Sequence, residues 1–320
     1  MHVLVTGATG FLGGNLVRHL LRQGHHVRAL KRPDTPASLL NGREIDIVEG
    51  DVTDPRSLLM ATRGVEAVYH VAALVSYWRP LRRRLYEVNV EGTRNVIDAS
   101  LRSGVRRLVH TSSIGALPIG NGSSRFGGIA EVQYWKTKYW AREVALQAID
   151  RGLEVVVVSP AWTFGQGDVY WKAGRLFRLV AQRSFIPIPH GYTTTCDVDD
   201  VCVGHIAAMD RGRPGADYVL GGAVVTFVDL VHQIASVMGR RVRVTRMPYP
   251  LAQAMGWIVY ALSLLSRREP AVTPEVVRIL GLGRAYSSAL AIRDLGYPQT
   301  PLRISLEKTY RWYREHGMLQ

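Results

Sequence analysis

The sequence predicts an α/β protein whose doubly wound parallel sheet carries helices on both faces. Short apolar runs with strand character alternate with amphipathic helical patterns over the first 160 residues, and a glycine-rich turn joins the first run to the first helix. Strands that alternate with helices form βαβ units, which build parallel sheets. The chain has 320 residues and 47% hydrophobic content, so it can bury a sizeable core and shows no sign of disorder.

The predicted elements follow each other in a regular order. Strands are predicted at residues 2–6, 26–31, 45–49, 66–71, 106–111 and 154–159. Helices are predicted near residues 12–23, 55–63, 81–103 and 134–151. After residue 160 the pattern is less regular, and prolines separate short elements.

The turn after the first strand carries the spacing G-x-x-G-x-x-G at Gly7, Gly10 and Gly13. Glycine lets the backbone approach a phosphate, and the free N–H groups at the start of the next helix attract an anion. The spacing differs from the G-x-G-x-x-G of the commonest dinucleotide fingerprint. Its position between a strand and a helix nevertheless indicates a pyrophosphate-binding turn, with an ordinary tight βα turn as the alternative.

This turn predicts a Rossmann-type dinucleotide-binding domain over residues 1–160. Residues 161–320 are predicted to be mainly a smaller substrate-binding lobe, with some segments returning to the first domain. The second strand ends at Lys31 and Arg32, where NAD-preferring folds usually place an acidic residue on the ribose 2′-hydroxyl. Two cations suit a 2′-phosphate, so we expect NADP(H) to be preferred over NAD(H); two solvated charges are the alternative.

The formal net charge of +14 comes mostly from arginines that are scattered along the chain. A basic balance can serve nucleic acid, an anionic membrane or an acidic ligand. Neither a nucleic-acid motif nor an alternation of aromatic and basic residues accompanies it, so we expect no nucleic-acid partner. A solvated surface and a functional anion-binding patch are the two interpretations left.

The two cysteines, Cys196 and Cys202, have no histidine cluster beside them. Two cysteines are too few for a disulfide framework, and their neighbours do not predict a metal site. Residues 1–6 already form the first predicted strand, so no signal peptide is expected. We therefore expect a cytoplasmic protein with free thiols and no metal.

Residues 251–265 are almost continuously apolar and are followed by Arg267 and Arg268. As a helix this stretch would be roughly 22 Å long, short of the ~30 Å hydrocarbon core of a bilayer. It also contains Gln253, so a membrane span is not predicted. We predict a buried or lid helix of the second lobe, and a helix that touches lipid at the membrane interface is the alternative.

Tyr134 and Lys138 lie one helical turn apart, so their side chains share one face of a predicted helix. Ser113 follows a predicted strand, whose carboxyl end faces the ligand crevice in such a sheet. A lysine ammonium beside a tyrosine is expected to lower the tyrosine pKa from its ordinary value of about 10. The three residues therefore predict a proton-transfer site beside a nicotinamide, and a chance or structural pairing is the alternative.

Further stretches follow a common pattern, namely residues 6–13, 50–54, 70–73, 89–93, 111–113, the Tyr134/Lys138 pair, 198–201 and 295–297. With them the chain resembles an extended short-chain dehydrogenase/reductase over essentially its full length. It is most similar to the dihydroflavonol reductase-like branch, which also includes hydroxysteroid dehydrogenases and a set named hopanoid-associated sugar epimerases. These motifs are specific for the superfamily and far less specific for the substrate.

The resemblance implies roles for the matching residues. Ser113, Tyr134 and Lys138 would be catalytic, and Lys138 would also bind the nicotinamide ribose. The other cofactor-binding residues would be Gly7, Gly10, Phe11, Leu12 and Gly13 at the pyrophosphate, Asp51 and Val52 at the adenine, Val71, Ala72, Ala73 and Asn89 along the cofactor, and Pro160 near the nicotinamide. A homodimer is also expected, through the helices near 81–103 and 134–151.

Two departures from the family bear on the substrate. Many sugar-nucleotide epimerases carry Arg-Pro where this chain reads Ser159-Pro160, and often a basic residue within the stretch that reads Thr-Thr-Thr-Cys at 193–196. Diphosphates need such cations. The region holding Trp162, Phe164, Tyr170, Trp171 and Phe177 is aromatic instead, which favours an apolar, ring-containing substrate although such rings often form a core.

Together these observations predict an NADP(H)-dependent oxidoreductase that reduces a ketone or aldehyde on a hydrophobic substrate. The loop after the fourth strand is predicted to overhang the site, with Tyr77 and Trp78 stacked on a flat ring and Arg79 at its edge; a surface loop anchored by Trp78 is the alternative. The alternative functions are a sugar-nucleotide epimerase or dehydratase with tightly bound cofactor, and a redox sensor that binds dinucleotide without turnover.

Overall fold

The computed structural model describes residues 1–40, 44–117, 132–171 and 173–319. Its main feature is a seven-stranded, fully parallel sheet with the strand order β10-β6-β5-β4-β1-β2-β3. The strands are β1 (His2–Thr6), β2 (His26–Lys31), β3 (Asp46–Glu49), β4 (Ala67–His70), β5 (Arg107–Thr111), β6 (Glu154–Pro160) and β10 (Asp217–Leu220). The predicted Rossmann-type, doubly wound fold is confirmed.

Helices cover both faces of this sheet. They are α1 (Phe11–Arg22), α2 (Pro55–Thr62), α3 (Arg82–Tyr86), α4 (Gly92–Arg102), α5 (Gln133–Gln147), α7 (Val198–Arg211) and α11 (Ala289–Leu295). Successive residues of β1 point to opposite faces, so Val3 and Val5 pack in one layer with α1 and α7, and Leu4 packs in the other with α2 and α4. A strand buried on both faces is typical of a parallel sheet, which explains its continuous apolar sequence.

The chain after β6 contributes both to the main sheet and to a second layer of structure. Strands β7 (Trp162–Phe164), β9 (Tyr192–Asp197) and β11 (Val224–Thr226) form a small sheet, and β8 (Phe185–Ile188) pairs with β12 (Arg243–Arg246). Their core includes α6 (Gly174–Gln182), α8 (Phe227–Val237) and α12 (Leu302–Glu315). The remaining helices are α9 (Tyr249–Ser266) and α10 (Pro274–Gly281).

The strand order reverses between β1 and β4, and this is where an open α/β sheet leaves a crevice for ligands. The carboxyl ends of β1, β4 and β5 lie side by side there, because Thr6 pairs with His70 and His70 pairs with His110. The glycine turn follows β1, and the Ser113 turn follows β5. The fold therefore brings the two predicted halves of the site to one edge.

The predicted helix at 81–103 is interrupted in the structure. A 3-10 turn at Arg79–Leu81 precedes α3, and a π-helical turn at Glu87–Glu91 separates α3 from α4. The π-turn contains Asn89, whose amide bonds outside its own helix. Such π-bulges are rare and concentrate at functional sites, and an amphipathic pattern does not reveal them.

Helix α9 contains the apolar stretch 251–265. It packs beside α10 and leaves much of its surface exposed, so the expected buried helix is wrong for most of its apolar side chains. Within the described ranges, no helix is both long and apolar enough to cross a membrane.

Candidate active site

The backbone of the glycine turn is packed so closely that two of its three glycines have no room for a side chain. Gly7 has a φ of +71°, and a Cβ there would lie 2.7 Å from the backbone nitrogen of Ala72 on the chain after β4. A Cβ on Gly13 would collide with the carbonyl group of Gly7. A Cβ on Gly10, by contrast, would meet only the Gly7 oxygen, at 3.2 Å. Two glycines are thus required by packing, and the third leaves room for a group to approach the start of α1.

This geometry fits a pyrophosphate. Gly10 is the N-cap of α1, and no side chain in the described ranges caps the N–H groups of the first turn. Those donors are therefore available to an anion, as the helix dipole favours. Phe11 and Leu12 begin the helix half-buried beside them. Sequence analysis predicted this arrangement, and the structure brings these residues together.

A ladder of buried polar side chains lies beneath the turn. The imidazole of His70 bonds the Thr6 hydroxyl at 2.8 Å and the Thr93 hydroxyl at 2.9 Å, and Thr6 also accepts from the N–H of Ala72 at 3.2 Å. Burial lowers the pKa of His70 to about 3, so this imidazole is neutral at physiological pH. The ladder ties β1, β4 and α4 together, and sequence analysis recognised His70 only as part of a motif.

Ser113 and Tyr134 meet at the carboxyl end of β5. The Ser113 oxygen accepts a hydrogen bond from the N–H of Gly115 at 3.1 Å, which leaves its own hydrogen free to donate. Burial and the nearby Tyr77 raise the pKa of Tyr134, and the neighbouring Ser113 hydroxyl opposes part of that rise.

Lys138 is 98% buried one turn further along α5 (2% exposed), and its ammonium donates to the carbonyl oxygen of Thr111 at 2.5 Å. Burial lowers the pKa of Lys138 to about 7. We expected Lys138 to lower the pKa of Tyr134, but the shift of Tyr134 is upward. The physical reason is that burial outweighs the other influences on Tyr134, while the ammonium is held by the end of β5.

The chain after β4 forms the next part of the site. Val71, Ala72 and Ala73 are half-buried there. Asn89 fastens the segment, because its amide accepts from the N–H of Leu74 at 2.7 Å and donates to the Leu74 carbonyl at 3.0 Å. The same amide donates to the Thr137 hydroxyl on α5 at 3.0 Å. Asn89 thus positions the backbone beside the crevice and links it to the helix of Tyr134 and Lys138.

The residues predicted to bind the adenosine end of the cofactor lie at the carboxyl ends of β2 and β3. The Asp51 carboxylate accepts from the N–H and the hydroxyl of Thr53, both at 2.8 Å, which shapes the turn that holds the buried Val52. Lys31 donates to Glu49 at 3.1 Å, whereas Arg32 is exposed. The two predicted cations are therefore not equivalent, because Lys31 already has an anionic partner.

Pro160 is buried at the end of β6, one strand away from Thr111. The aromatic stretch, for which core packing and a substrate-lining role were both considered, serves mainly as core. Phe164 and Phe177 are fully buried, and Trp171 stacks on Tyr313 with ring centroids 4.8 Å apart. Only their packing partners reveal this, since the same rings at the same spacing would suit a ligand pocket.

The opposite wall of the site comes from the loop at 76–80 and from α9 and α10. Tyr77 packs edge-on against Tyr134 with centroids 5.8 Å apart, and burial raises the pKa of Tyr77 to about 12. The Trp78 indole N–H donates to the Ser263 hydroxyl at 3.0 Å. Trp78 therefore anchors the loop on α9, and Tyr77 is the aromatic side chain that borders Tyr134.

Two charged residues of this wall, Glu275 and Arg284, were not predicted from the sequence. Glu275 is 98% buried (2% exposed), accepts from the N–H of Gln133 at 3.2 Å and pairs with Arg79 at 3.5 Å. Arg284 lies 3.9 Å from the centroid of the Trp135 ring, and its Nε and Nη2 are buried without a hydrogen-bond partner in the described part of the chain. Both lie far from Tyr134 in sequence, and no local pattern marks them.

The fold and this geometry define a class: a Rossmann-type α/β protein with serine, tyrosine and lysine side chains gathered beside a glycine turn. A model of the NAD dependent epimerase/dehydratase family matches residues 3–221. The chain belongs to this family, and the resemblance to an extended short-chain dehydrogenase/reductase is confirmed.

Relatives match along the whole chain. Sterol demethylase protein B of Methylococcus capsulatus is 34% identical, covering 100% of both chains. A putative dihydroflavonol 4-reductase of a Synechocystis species is 30% identical, covering 99% of this chain and 95% of the relative. Among solved structures, gox2253 is 29% identical with a TM-score of 0.85, covering 99% of both chains. Relatives with reductase and dehydrogenase names confirm the expectation of an oxidoreductase enzyme.

Proposed function

We propose that the protein is an NADP(H)-dependent oxidoreductase that reduces a ketone or aldehyde on a hydrophobic, ring-containing substrate. The observation that carries this proposal is the placement of Lys138, which is buried and donates to the carbonyl oxygen of Thr111 at 2.5 Å, at the end of β5 two residues before Ser113. This contact holds the helix of Tyr134 and Lys138 against the edge of the sheet that carries the glycine turn, and it supports Ser113, Tyr134 and Lys138 as the proposed catalytic set.

A bound nicotinamide dinucleotide would supply the hydride. The residues that would hold it are those of the glycine turn, the segment 71–73 and Lys138, as the resemblance implies. The fit rests on the first turn of α1, which no described side chain caps, and on Gly10, whose lack of a side chain lets a group approach that turn. β1, β4 and β5 are neighbours, so a dinucleotide held at the glycine turn would reach toward Ser113 along this edge.

The phenol of Tyr134 keeps its proton at neutral pH, since burial raises its pKa. It would give that proton to the substrate oxygen as the carbonyl is reduced, which is the role of a general acid. The Ser113 hydroxyl would donate a hydrogen bond to the same oxygen, because the Gly115 N–H already occupies one of its lone pairs. Lys138 would bind the ribose, and in its protonated form it would place positive charge near the developing anion.

The preference for NADP(H) rests on the end of β2. Lys31 ends the strand and Arg32 follows it, where an acidic residue would indicate NAD, and Arg32 is exposed. Lys31 is already paired with Glu49, so Arg32 is the cation that we propose for the 2′-phosphate.

The substrate class rests on the apolar wall opposite the sheet. Tyr77, Tyr134, Trp135 and Tyr139 cluster there with Ile279 and Leu282 of the α10 region. Rings and aliphatic side chains around a few polar groups suit a hydrophobic ligand. The relatives' names agree with this class, because they refer to a sterol, a dihydroflavonol and a 3-beta-hydroxysteroid.

A second candidate function has one observation in its favour. Beside Trp135, the buried guanidinium of Arg284 has two nitrogens, Nε and Nη2, without a partner among the described residues, and such donors suit a phosphate or carboxylate. An epimerase or dehydratase acting on a nucleotide sugar would need such a cation, although it lies outside the positions where the resemblance places arginines. An anionic group on a reductase substrate would use it equally well.

The experiment that separates these functions is a substrate panel with both cofactors. We expect NADPH to be consumed with hydrophobic cyclic or aryl ketones and aldehydes, and no reaction with common nucleotide sugars. Epimerisation of a nucleotide sugar without net consumption of cofactor would replace the reductase by the second candidate. Cofactor binding without turnover on any substrate would favour a redox sensor.

The homodimer expected through the helices near 81–103 and 134–151 stays a prediction. Light scattering after size exclusion measures it directly, and a charge introduced on the exposed face of α5 is the variant that tests the helices involved.

A further inference from the structure

Helix α9 presents an unusual surface. Its 18 residues contain no Asp, Glu, Lys or Arg. Its buried positions are the small residues Ala252, Gly256 and Ser263. Its large apolar side chains point outward, with exposed fractions of 54% for Leu251, 45% for Met255, 62% for Ile258, 60% for Leu262 and 84% for Leu265. A surface helix in water normally has the reverse arrangement.

The exposed side chains form one continuous stripe. Positions 251, 255, 258, 262 and 265 are separated by alternating steps of four and three residues, which keeps them on one face of a helix. Trp257 and Leu264 flank the stripe with exposed fractions of 47% and 46%. Contiguous apolar surface of this kind marks a site of contact with a membrane or with another protein.

The charges around the stripe distinguish between these partners. Arg246 is exposed just before α9, and Arg267 and Arg268 are exposed just after it. The chain as a whole carries a formal net charge of +14. An apolar stripe with arginines at both ends complements a bilayer that contains anionic lipid, because the side chains enter the acyl boundary while the guanidinium groups meet the headgroups.

We propose that α9 is a docking helix that lies in the surface of an anionic lipid membrane without crossing it. At about 27 Å the helix is shorter than the ~30 Å hydrocarbon core, and the search for a spanning helix among the described residues agrees. The stripe, defined as Leu251, Met255, Ile258, Leu262 and Leu265, is the inserted face.

The docking helix belongs to the wall of the candidate active site. A Cβ on Gly256 would lie 3.3 Å from Pro274, so α9 sits close against α10, and Glu275 of α10 bonds the first residue of α5. Trp78 links the site loop to Ser263. A membrane under α9 would therefore lie next to the substrate wall. The docking itself does not depend on the reaction proposed above.

The test is flotation of the full-length protein with vesicles. We expect it to float with vesicles of phosphatidylcholine plus phosphatidylglycerol, and to bind vesicles of phosphatidylcholine alone more weakly. Ile258→Ser/Leu262→Ser should lower the partition coefficient by about tenfold or more, since two exposed apolar side chains are removed from the inserted face. Arg267→Gln/Arg268→Gln should weaken binding only to the anionic vesicles, and added salt should have the same effect.

Matched controls remove similar groups elsewhere. Met60→Ser/Ile304→Ser removes two exposed apolar side chains, with exposed fractions of 71% and 45%, and should float like the wild type. Arg311→Gln/Arg314→Gln is the corresponding control for charge on α12. Quenching of Trp257 fluorescence by brominated lipid gives a second reading of the same contact.

Three results would overturn the proposal. Wild-type protein that stays unbound with anionic vesicles contradicts it, and so do control variants that lose binding as much as the stripe variants. Light scattering gives the third: if the wild type is a larger oligomer that Ile258→Ser/Leu262→Ser dissociates, and neither floats, the stripe is an interface between copies of this chain.

Discussion

The sheet side of the candidate site and the wall formed by α9 and α10 differ in how far their side chains are buried and hydrogen-bonded. On the sheet side, Thr6, His70 and Asn89 are buried and bonded to neighbouring elements. On the α9 side, large apolar side chains face outward, and the contacts to the loop at 76–80 are a few side-chain bonds. The sheet side is thus built for fixed geometry, and the α9 side for contact with apolar groups.

This difference teaches where chemistry and affinity should reside. Changes on the sheet side should alter turnover or cofactor binding, because proton transfer and phosphate contacts tolerate little displacement. Changes on the α9 side should alter apparent affinity, because apolar contacts are shared by the ground state and the transition state.

The largest expected effect is that of Tyr134→Phe. The ring and its packing against Tyr77 remain, but the transferable proton is lost. We expect turnover to fall by about 10²-fold or more while cofactor binding survives, as for loss of a general acid. Steady-state kinetics and cofactor titration check both parts, and near-normal turnover in a folded variant would remove Tyr134 from the proposed mechanism.

Gly13→Ala should be the next largest. Its Cβ would meet the backbone of Gly7, which has little freedom to move. We expect the free energy of unfolding to fall by about 1–3 kcal/mol, as for overpacking, and cofactor binding to be lost. Gly10→Ala is the matched variant: its Cβ would meet the Gly7 oxygen at 3.2 Å, a milder contact than at Gly13, so we expect weaker cofactor binding at a stability cost below about 1 kcal/mol. Urea unfolding distinguishes the two, and equal destabilisation would contradict the geometry of the turn.

Trp78→Ala tests the other wall. It removes the bond to Ser263 and loosens the loop that places Tyr77 beside Tyr134. We expect KM for the hydrophobic substrate to rise by about 5- to 10-fold, with a smaller change in kcat. Ser263→Ala removes the same hydrogen bond while keeping the indole, so it should show part of this effect. A fall in kcat with KM unchanged would mean that this wall takes part in the chemistry.

Arg32→Ala should have a smaller effect, on the difference in affinity between NADPH and NADH. We expect wild-type protein to bind NADPH more tightly than NADH, and Arg32→Ala to narrow the difference by several-fold as a charge-assisted contact to phosphate is lost. Lys31→Ala is the control, because Lys31 is paired with Glu49 and should contribute less. Equal affinities of the wild type for the two cofactors would refute the preference.

The last prediction concerns acid stability rather than catalysis or binding. The pKa of His70 is lowered to about 3 in the folded protein, from an ordinary value of 6.5. Between these values the unfolded chain binds the proton and the folded chain does not, so stability falls as pH drops through this window. The slope from this group is at most about 1.4 kcal/mol per pH unit. The difference in unfolding free energy between the wild type and His70→Gln should shrink from pH 7 to pH 4, and a constant difference would contradict it.

Much of the sheet side could be predicted because its signals are local. The six predicted strands differ from the observed ones by one residue at most at each end, since apolar runs between turn residues determine them. The seven residues from Gly7 to Gly13, with a glycine at every third position, were enough to indicate the turn after β1. Ser113, Tyr134 and Lys138 were found because strand end and helix spacing are visible in the chain. The direction of the Tyr134 pKa shift was not visible, because burial depends on Tyr77 and on α10, which are distant in sequence.

The sequence alone determined the parallel sheet, the glycine turn and the residue types of the candidate site, because each depends on neighbours a few positions away. Only the tertiary structure decided that Phe164 and Phe177 are buried in a core, that Lys31 is paired, that Glu275 and Arg284 join the site wall, and that α9 turns its large apolar side chains outward. The sequence of an apolar helix does not show whether the face that carries its large side chains is buried or exposed. Which face is covered depends on the elements that pack against it. Here α10 packs against Gly256 of α9, and such contacts form only when distant segments of the chain meet.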